Sequence, residues 1–384
     1  MIIEKVETFV LKDKLSKSFF FSQWEYSERS ICVVKITASD GTYGWGEGYG
    51  PAKILEEGVN FLKPIVIGSD PLKNELVWHQ MYRKTLDYAR RGILVSSMSA
   101  IDIAIWDLKG KILGVAVSAL LGGAHRDKVK PYATGLYFRN YEEPSVEFGE
   151  EIERYVKQGF KAIKMKVGLG VDEDYENVKK VRSMIGDEIE LMIDSNHAYS
   201  LKEAVSLARK LEPLNISWFE EPLSPEFYDQ YRELREKTTI PIAAGECEYL
   251  RYGFHQLLRS KSVDILQPDI CSSGGLTEAK RISTLASVYG IDVIPHTWGT
   301  SIGMHVALHF ISNLELIPGR MKQPDFLMEY DQTENALREK LTFPKVIMKD
   351  GFIKVPKGPG LGLDVNEDVL REYDISKMKD KSII

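Results

Sequence analysis

The sequence has little cysteine and no long apolar run, and each shortage excludes a class of protein. Its three cysteines, Cys32, Cys247 and Cys271, are odd in number and far apart, which is not the spacing of a disulfide framework or a zinc site. No window approaches the roughly 18 apolar residues of a membrane span, and the first residues alternate like a strand rather than forming a signal peptide. We therefore expect a cytoplasmic protein without a membrane partner.

The chain also lacks a strong excess of charge. Its 50 Lys and Arg residues nearly balance 56 Asp and Glu residues, which leaves a net charge of −6. No basic stripe is interleaved with aromatic residues, so we expect no nucleic-acid partner. The 384 residues suit a barrel of roughly 200 to 250 residues together with a smaller domain.

After about residue 130, β-rich runs alternate with amphipathic helical stretches such as Leu201–Leu211, Glu226–Glu236 and Leu276–Val288. This alternation is typical of repeated βα units around a parallel sheet. The predicted strands are Pro131–Leu136, Ala162–Val167, Glu190–Asn196, Ile216–Glu221, Pro241–Glu246, Asp264–Asp269, Asp292–Thr297 and Phe326–Asp331. Eight such units favour an α/β barrel of the (β/α)8 type over an open doubly wound sheet.

The two flanking regions follow other patterns. The first region opens with strand-like segments and passes into a long helix, which indicates an α+β domain; these segments are Ile2–Leu11, Ser30–Ala38, Gly44–Glu47 and the helix Ser96–Leu113. Near the end, Val346–Val355 predicts a hairpin that turns on Asp350-Gly351, and we expect its strands to return to the first domain. The predicted domains are 1–125, 126–340 and 341–384.

The carboxyl ends of the predicted barrel strands carry ionisable side chains. Such ends face one shared mouth, so residues distant in sequence converge there. Asp194, Glu220 and Glu246 end three consecutive strands, with intervals of 220−194 = 26 and 246−220 = 26 residues. All-oxygen ligands with room for water or substrate suit Mg²⁺ better than Ca²⁺. We predict one Mg²⁺ per active site, rather than isolated helix caps.

Two further pairs are suited to proton transfer. Lys164 and Lys166 share one face of a strand, and two neighbouring ammonium groups lower each other's pKa, which suits Lys166 as a base. Asp269 ends the strand before the one that ends at His296, so its carboxylate can orient the imidazole. The alternatives are solvated lysines on an edge strand and a structural histidine, and the barrel context disfavours both.

In order and spacing, these residues resemble the mandelate racemase group of the enolase superfamily over nearly the whole chain. The resemblance rests on Lys164-x-Lys166, Asp194-x-Asn196, Trp218-Phe219-Glu220-Glu221-Pro222, Gly245-Glu246, Gln267-Pro268-Asp269, His296, Glu329 and the helix Ala100–Lys111. It implies a modified TIM barrel of the (β/α)7β type with an α+β N-terminal capping domain. It also implies a homo-oligomer, between a dimer and an octamer.

The resemblance implies a role for each of these groups. Asp194, Glu220 and Glu246 would bind Mg²⁺. Lys166 and the Asp269/His296 dyad would move protons, and Lys164 would bind the carboxylate of a small-molecule substrate. Glu329 would hydrogen-bond that carboxylate as it becomes an enediolate. Removal of the α-proton concentrates negative charge there, and Mg²⁺, Lys164 and a protonated Glu329 would stabilise it.

Other segments receive more limited interpretations. We predict further substrate contacts at Asn196, Tyr137, Arg139, His197, Trp298, Phe21 and Trp24. Arg139 or Lys17 would hold a second carboxylate, so aldonates and aldarates both stay open. Ser18–Trp24 resembles the family's lid, with a core segment as the alternative.

Two motifs are assigned no chemistry. Gly44–Gly50 has a GxGxxG-like pattern without a βαβ context, and we interpret it as a loop near the mouth rather than a dinucleotide site. Cys247 has no base partner evident in the sequence and is interpreted as a packing residue.

The leading functional hypothesis is a lyase. It would remove the α-proton of a sugar acid and expel the β-hydroxyl with acid from His296, which gives a 2-keto-3-deoxy sugar acid. The run Pro295–Thr300 is similar to that of sugar-acid dehydratases. A racemase or epimerase that uses Lys166 and His296 on opposite faces is the alternative. A binding or scaffold protein is disfavoured because every catalytic position is filled, and muconate cycloisomerase chemistry is disfavoured because Asp269 and His296 replace the lysine of those relatives.

Overall fold

The structure, a computed structural model, describes residues 1–139 and 144–376. The strands are β1 Ile3–Phe21, β2 Trp24–Ala38, β3 Tyr43–Gly48, β4 Lys128–Gly135, β5 Ala162–Lys166, β6 Glu190–Asp194, β7 Ile216–Glu220, β8 Ile242–Ala244, β9 Ile265–Leu266, β10 Asp292–Val293, β11 Leu327–Asp331, β12 Thr342–Phe343, β13 Met348–Lys349, β14 Phe352–Lys354 and β15 Asp364–Val365. The α-helices are α1 Ala52–Val66, α2 Asn74–Thr85, α3 Ile93–Leu113, α4 Val117–Leu120, α5 Pro144–Gln158, α6 Val171–Ile185, α7 Leu201–Leu211, α8 Tyr228–Arg235, α9 Leu250–Arg259, α10 Gly275–Tyr289, α11 Ser301–Asn313, α12 Ala336–Lys340 and α13 Glu367–Tyr373. Within these ranges no helix is long and apolar enough to cross a membrane.

The first domain is an antiparallel sheet, β1-β2-β3, packed against helices. Strand β3 contains the predicted strand Gly44–Glu47, which confirms that prediction, and the interpretation of Gly44–Gly50 as a loop holds only for its last two residues. A Cβ at Gly44 would lie 2.2 Å from the Ala104 carbonyl oxygen, and one at Gly46 would lie 2.2 Å from that of Ala100. The glycines therefore let β3 approach the backbone of α3.

Replacing Gly46 by alanine is expected to lower the free energy of unfolding by at least about 1–3 kcal/mol, because the added methyl group overpacks this contact. Gly149→Ala on α5 is the matched control, since its Cβ would meet only Met184 Cε, at 3.4 Å. The control should stabilise the protein by up to about 1 kcal/mol through helix propensity. Denaturant-induced unfolding measures both changes. A Gly46→Ala protein as stable as the wild type would contradict the close approach of β3 and α3.

The barrel sheet contains the eight predicted strands, all parallel. Pairing runs in the order β10-β9-β8-β7-β6-β5-β4, and β11 pairs with the other edge of β4. Seven helices, α5 to α11, lie between consecutive strands of this sheet. The predicted modified TIM barrel of the (β/α)7β type with an α+β capping domain is therefore confirmed.

Three barrel strands end before the functional residues that were predicted to close them. β8, β9 and β10 stop two or three residues before Glu246, Asp269 and His296 respectively. Gly245 has φ +142°, and Pro268 and Pro295 have no N–H to donate to a strand ladder. These three functional side chains therefore lie on loops just beyond the strands, at the same mouth.

The C-terminal hairpin forms at the predicted turn but pairs with a different sheet. Asp350 and Gly351 have φ values of +52° and +77°, and Ile353 of β14 pairs with Val129 at the start of β4. The hairpin therefore extends the barrel sheet, and the prediction that its strands return to the first domain is wrong. The residues after it do reach that domain, where Ile375 N–H donates to the Val10 carbonyl at 2.8 Å. Residues 377–384 of the predicted C-terminal segment lie outside the described ranges.

The predicted lid segment is the tip of a long β1/β2 hairpin, not a loop. β1 continues to Phe21, ten residues beyond the predicted strand end at Leu11. Near the tip, Phe20 N–H donates to the Phe138 carbonyl at 2.7 Å, and Phe138 N–H donates back at 3.0 Å. These two bonds hold the hairpin across the end of β4, over the barrel mouth.

Candidate active site

Three carboxylates converge at the mouth of the barrel. Asp194, Glu220 and Glu246 each offer an oxygen within 4.8 Å of the others. β6 and β7 carry the first two at their last residues, in register with each other. Trp218 Nε1 and Gln267 Nε2 donate to Glu220 Oε2 at 2.8 and 2.6 Å. The donor set is all oxygen and its members face one point, which fits a hard divalent cation.

The pKa values of two of these carboxylates differ strongly from their ordinary values. Burial raises the pKa of Glu220 to about 7, although Lys164 opposes the shift. Burial also disfavours charge on Asp194, but Lys166 and Lys164 outweigh it and lower that pKa to about 2. The two ammonium groups thus stabilise the ionised carboxylates in a buried site. A divalent cation would stabilise them more strongly.

The two lysines contact the trio from one side. Lys166 Nζ lies 2.5 Å from Asp194 Oδ2 and donates to Asn196 Oδ1 at 2.8 Å. Lys164 Nζ lies 2.5 Å from Glu220 Oε1 and 2.9 Å from Glu329 Oε1. Burial lowers the pKa of Lys164, but Glu220 and Glu329 outweigh burial and raise it well above its ordinary value. Lys164 is therefore a fixed positive charge, and the predicted mutual lowering of the two lysine pKa values does not hold for it.

The dyad faces the lysines from another side of the barrel. His296 Nδ1 lies 2.6 Å from Asp269 Oδ2, and His296 Nε2 lies 3.6 Å from Glu246 Oε2. Burial lowers the pKa of His296, but Glu246, Glu329 and Asp269 outweigh it and raise that pKa to about 10. Before a cation binds, His296 therefore carries both ring protons and can act as an acid.

This shift predicts how stability depends on pH. The His296 pKa rises from 6.5 to about 10 on folding, so its contribution is complete below pH 6.5 and is lost as the pH rises through 10. We expect the free energy of unfolding of chelator-treated protein to fall across this window by up to about 1.4 kcal/mol per pH unit more than in His296→Asn. Urea unfolding at several pH values measures the difference. Parallel curves for the two proteins would contradict it.

The Glu329 carboxylate lies among hydrogen-bond donors and beside Lys164. Its oxygens accept hydrogen bonds from Thr134 Oγ1 at 2.7 Å and from Thr297 N–H at 2.9 Å. Burial raises the pKa of Glu329, but Lys164 and His296 outweigh burial and lower it to about 2. Without substrate the carboxylate is therefore ionised and surrounded by donors, and its protonation during enediolate formation stays a prediction. The negative charge of Glu329 supports Lys164 and His296.

An aromatic wall covers the mouth. We use this name for Phe19, Phe21, Tyr26, Tyr49, Tyr137 and Trp298. Lys166 Nζ lies 4.9 Å from the Phe21 ring centroid and 5.2 Å from that of Tyr137. The sequence prediction named Phe21, Tyr137 and Trp298 as substrate contacts. Phe19 lay in the predicted lid segment and Tyr49 in the segment interpreted as a loop near the mouth, whereas Tyr26 was not predicted. Tyr49, whose ring centroid lies 5.4 Å from that of His296, directly follows β3 and could have been found at the end of the glycine-rich segment.

Three predicted substrate contacts lie elsewhere. Trp24 is 54% exposed at the hairpin tip. Arg139 Nη2 lies 3.3 Å from Glu151 Oε1, so this guanidinium already has a carboxylate partner. Asn196 and His197 have left-handed φ values of +42° and +70°. This turn places His197 Nε2 3.1 Å from Glu221 Oε2, whereas Asn196 stays beside Lys166. Lys17, the other proposed anchor for a second carboxylate, is exposed.

Cys247 has a neighbour that the sequence did not reveal. Its Sγ lies 3.6 Å from His197 Nε2, although the two residues are 50 positions apart. The prediction that Cys247 lacks a base partner is therefore wrong. Partial loss of hydration at the sulfur, together with Glu221 and Glu246, raises the pKa of the thiol, so in the absence of a metal it is not a thiolate nucleophile.

Comparison with known proteins agrees with this geometry. Residues 5–122 match the model of the mandelate racemase/muconate lactonizing enzyme N-terminal domain, and residues 147–369 match that of the enolase C-terminal domain-like family. The chain is 38% identical to D-galactarolactone cycloisomerase of Agrobacterium fabrum, over 97% of this chain and 99% of that protein. It is 34% identical to arabinonate dehydratase of Saccharolobus solfataricus, over 89% and 90% of the two chains.

Solved structures give the same family. The crystal structure of 3,6-anhydro-D-galactonate cycloisomerase from Zobellia galactanivorans superposes with a TM-score of 0.89 at 49% identity, covering 97% of this chain and 99% of that one. A racemase from Streptomyces coelicolor with bound magnesium superposes with a TM-score of 0.87 at 26% identity, covering 97% and 100%. These relatives include both lyases and isomerases. The chain belongs to the mandelate racemase/muconate lactonizing enzyme family of the enolase superfamily.

Proposed function

We propose that the chain removes the proton α to the carboxylate of a sugar acid and expels the oxygen on the β-carbon, and that this oxygen belongs to a ring. The reaction breaks the α-C–H bond and the β-C–O bond and forms an enol, which takes up a solvent proton at the former β-carbon to become a 2-keto-3-deoxy acid. When the expelled oxygen is tethered, it remains on the product as a hydroxyl. The reaction is then an isomerisation, and no water is lost.

Lys166 and His296 take the two proton-transfer roles. Lys166 ends β5 and His296 follows β10, so substrate between them would present opposite faces to the two groups. Lys166 in its neutral form would be the base. Asn196 Oδ1, which accepts a hydrogen bond from Lys166 Nζ at 2.8 Å, orients the amine. Asp269 accepts from His296 Nδ1 at 2.6 Å, which leaves Nε2–H to protonate the departing oxygen.

Negative charge on the substrate is balanced by fixed groups. Lys164 is buried and positively charged, so it can bind the carboxylate and support the enediolate that forms from it. A Mg²⁺ ion bound by Asp194, Glu220 and Glu246 would add positive charge at the same carboxylate. The hairpin over the mouth would exclude water.

The aromatic wall is the observation that carries the ring-opening form of the proposal. An open-chain polyol acid presents a hydroxyl on nearly every carbon, and each one needs a polar partner when it is buried. Here Lys166 Nζ faces the Phe21 and Tyr137 rings, and the wall packs ring against ring: Tyr26 and Trp298 lie 4.9 Å apart, and Phe21 and Tyr137 lie 5.7 Å apart, between ring centroids. Such a surface suits a compact cyclic ether or lactone that has fewer free hydroxyls. The names of two relatives, which describe cycloisomerases, support the same choice.

Dehydration is the second candidate. Expulsion of a free β-hydroxyl needs the same residues, and the run Pro295–Thr300 together with the arabinonate dehydratase relative supports it. Racemisation is third. It would use Lys166 as the base on one face of the α-carbon and the protonated His296 as the donor on the other.

Mass spectrometry of the product separates the candidates. We would incubate the purified protein and Mg²⁺ with 3,6-anhydro-D-galactonate, D-galactarolactone, arabinonate and galactonate in turn. A keto product with the mass of its substrate supports ring opening, and one lighter by a water supports dehydration. An epimer without a keto product would overturn the proposed elimination.

A further inference from the structure

A second group of ligating side chains lies at the strand ends that carry the carboxylate trio. His197, Glu221 and Cys247 each follow a member of the trio by one or three positions. One donor atom from each lies within 4.8 Å of the others. We call this group the mixed-ligand cluster. The two groups share their strand ends but none of their side chains.

We infer that the mixed-ligand cluster binds a transition-metal ion of the Zn²⁺ type. Tetrahedral Zn²⁺ with ordinary bond lengths places imidazole nitrogen and thiolate sulfur about 3.6 Å apart, and imidazole nitrogen and carboxylate oxygen about 3.4 Å apart. The corresponding distances here are 3.6 Å for His197 Nε2 to Cys247 Sγ and 3.1 Å for His197 Nε2 to Glu221 Oε2. Nitrogen and sulfur donors favour Zn²⁺ over Mg²⁺.

The imidazole is oriented as a metal ligand. His197 Nδ1 lies 3.2 Å from the Leu223 carbonyl oxygen. A carbonyl only accepts, so this hydrogen bond requires the proton on Nδ1 and, in the neutral ring, leaves the lone pair of Nε2 facing the cluster. Metal-binding histidines are commonly held in this way by a bond from the other ring nitrogen.

The buried Glu221 carboxylate also favours a bound cation. Glu221 is 1% exposed, and its Oε2 accepts no hydrogen bond from the residues that the structure describes. This oxygen and the Nε2 lone pair then face each other at 3.1 Å, and two acceptors at that distance repel unless a positive charge lies between them. A bound metal ion would satisfy both, together with the sulfur once its proton is released.

The position is accessible. Cys247 is exposed, so an ion can enter from solvent without opening the barrel mouth. Three protein ligands leave a fourth tetrahedral position for water. The site would therefore link the three chain segments that directly follow the trio.

Cobalt spectroscopy and zinc titration test the inference on the full-length protein. In excess Mg²⁺, we expect one further equivalent of Zn²⁺ to bind, and Co²⁺ in its place to give a near-ultraviolet thiolate-to-metal charge-transfer band. Cys247→Ser should remove that band and weaken Zn²⁺ binding at least about tenfold. Cys32→Ala, in the first domain, is the control and should leave both unchanged.

Asp194→Asn provides the crossed control, because it weakens the trio and should leave the cobalt band in place. Zn²⁺ binding that disappears in Asp194→Asn but not in Cys247→Ser would place the ion at the trio and overturn the inference. Absence of a charge-transfer band in the wild-type protein would do the same, and would leave His197 and Glu221 as an imidazolium–carboxylate pair. Neither result depends on which sugar acid the enzyme uses, so failure here is distinct from failure of the proposed reaction.

Discussion

Substitution of His296 by asparagine is expected to abolish the keto product while exchange of the substrate's α-proton with D₂O continues. The imidazole protonates the leaving oxygen, so without it the carbanion forms and returns to substrate. Lys166→Met should stop both exchange and product formation, because no base remains on its face. General acid or base groups contribute roughly 10²–10⁴-fold in rate, and we expect losses of that size in each variant.

Proton NMR of substrate and product in D₂O follows both steps at once. His79→Asn on α2 and Lys179→Met on α6, which alter exposed side chains, are the matched controls and should behave as wild type. Exchange that is lost in His296→Asn but retained in Lys166→Met would reverse the assignment of base and acid. Full activity in both would remove these residues from the mechanism.

Removal of divalent cations is expected to abolish turnover, and Mg²⁺ should restore it. Asp194→Asn should raise the Mg²⁺ concentration needed for half-maximal activity by at least about tenfold, because it removes one of three charged ligands. Binding to the folded state alone also stabilises it by mass action. Mg²⁺ should therefore raise the melting temperature of chelator-treated wild-type protein and raise that of Asp194→Asn much less.

Differential scanning calorimetry with and without Mg²⁺ measures that difference. Asp229→Asn, which removes an exposed carboxylate on α8, is the control and should respond as wild type. Equal Mg²⁺ responses in wild-type protein and Asp194→Asn would contradict a cation site at the trio. Full activity after exhaustive chelation would contradict a requirement for the cation.

The sequence was most informative where periodicity and chemistry coincide. The eight barrel strands were predictable because their apolar runs recur at βα spacing and end in charged residues. The meeting of Asp194 with Glu220 follows from parallel register alone, since both close neighbouring strands of one sheet. His296 lies beside Asp269 for the same reason, since the two residues follow the neighbouring parallel strands β9 and β10.

Backbone conformation limited the residue-level predictions. Alternation alone cannot reveal that Asn196 and His197 both adopt left-handed φ, so it could not predict that one side chain stays beside Lys166 and the next turns away. The interpretation of the GxGxxG-like segment as a loop failed for a related reason. Gly44 and Gly46 allow β3 to contact Ala104 and Ala100 of α3, which lie 60 and 54 positions further along the chain.

Charge states could not be read from pairs of neighbours in sequence. Lys164 and Lys166 were expected to lower each other's pKa, but Glu220 and Glu329, from distant strands, dominate at Lys164. The mixed-ligand cluster was missed because its members are separated by 24 and 26 positions and match no short cysteine motif. It requires three strand ends to be brought together first.

The most direct test of the account is the product formed in D₂O from a sugar acid whose β-oxygen lies in a ring. We expect a 2-keto-3-deoxy acid of unchanged molecular formula apart from one deuterium on the former β-carbon, formed by wild-type protein with Mg²⁺ and not by His296→Asn. A product with the ring intact, deuterium on the α-carbon and inverted configuration there would contradict ring opening and would identify an epimerase.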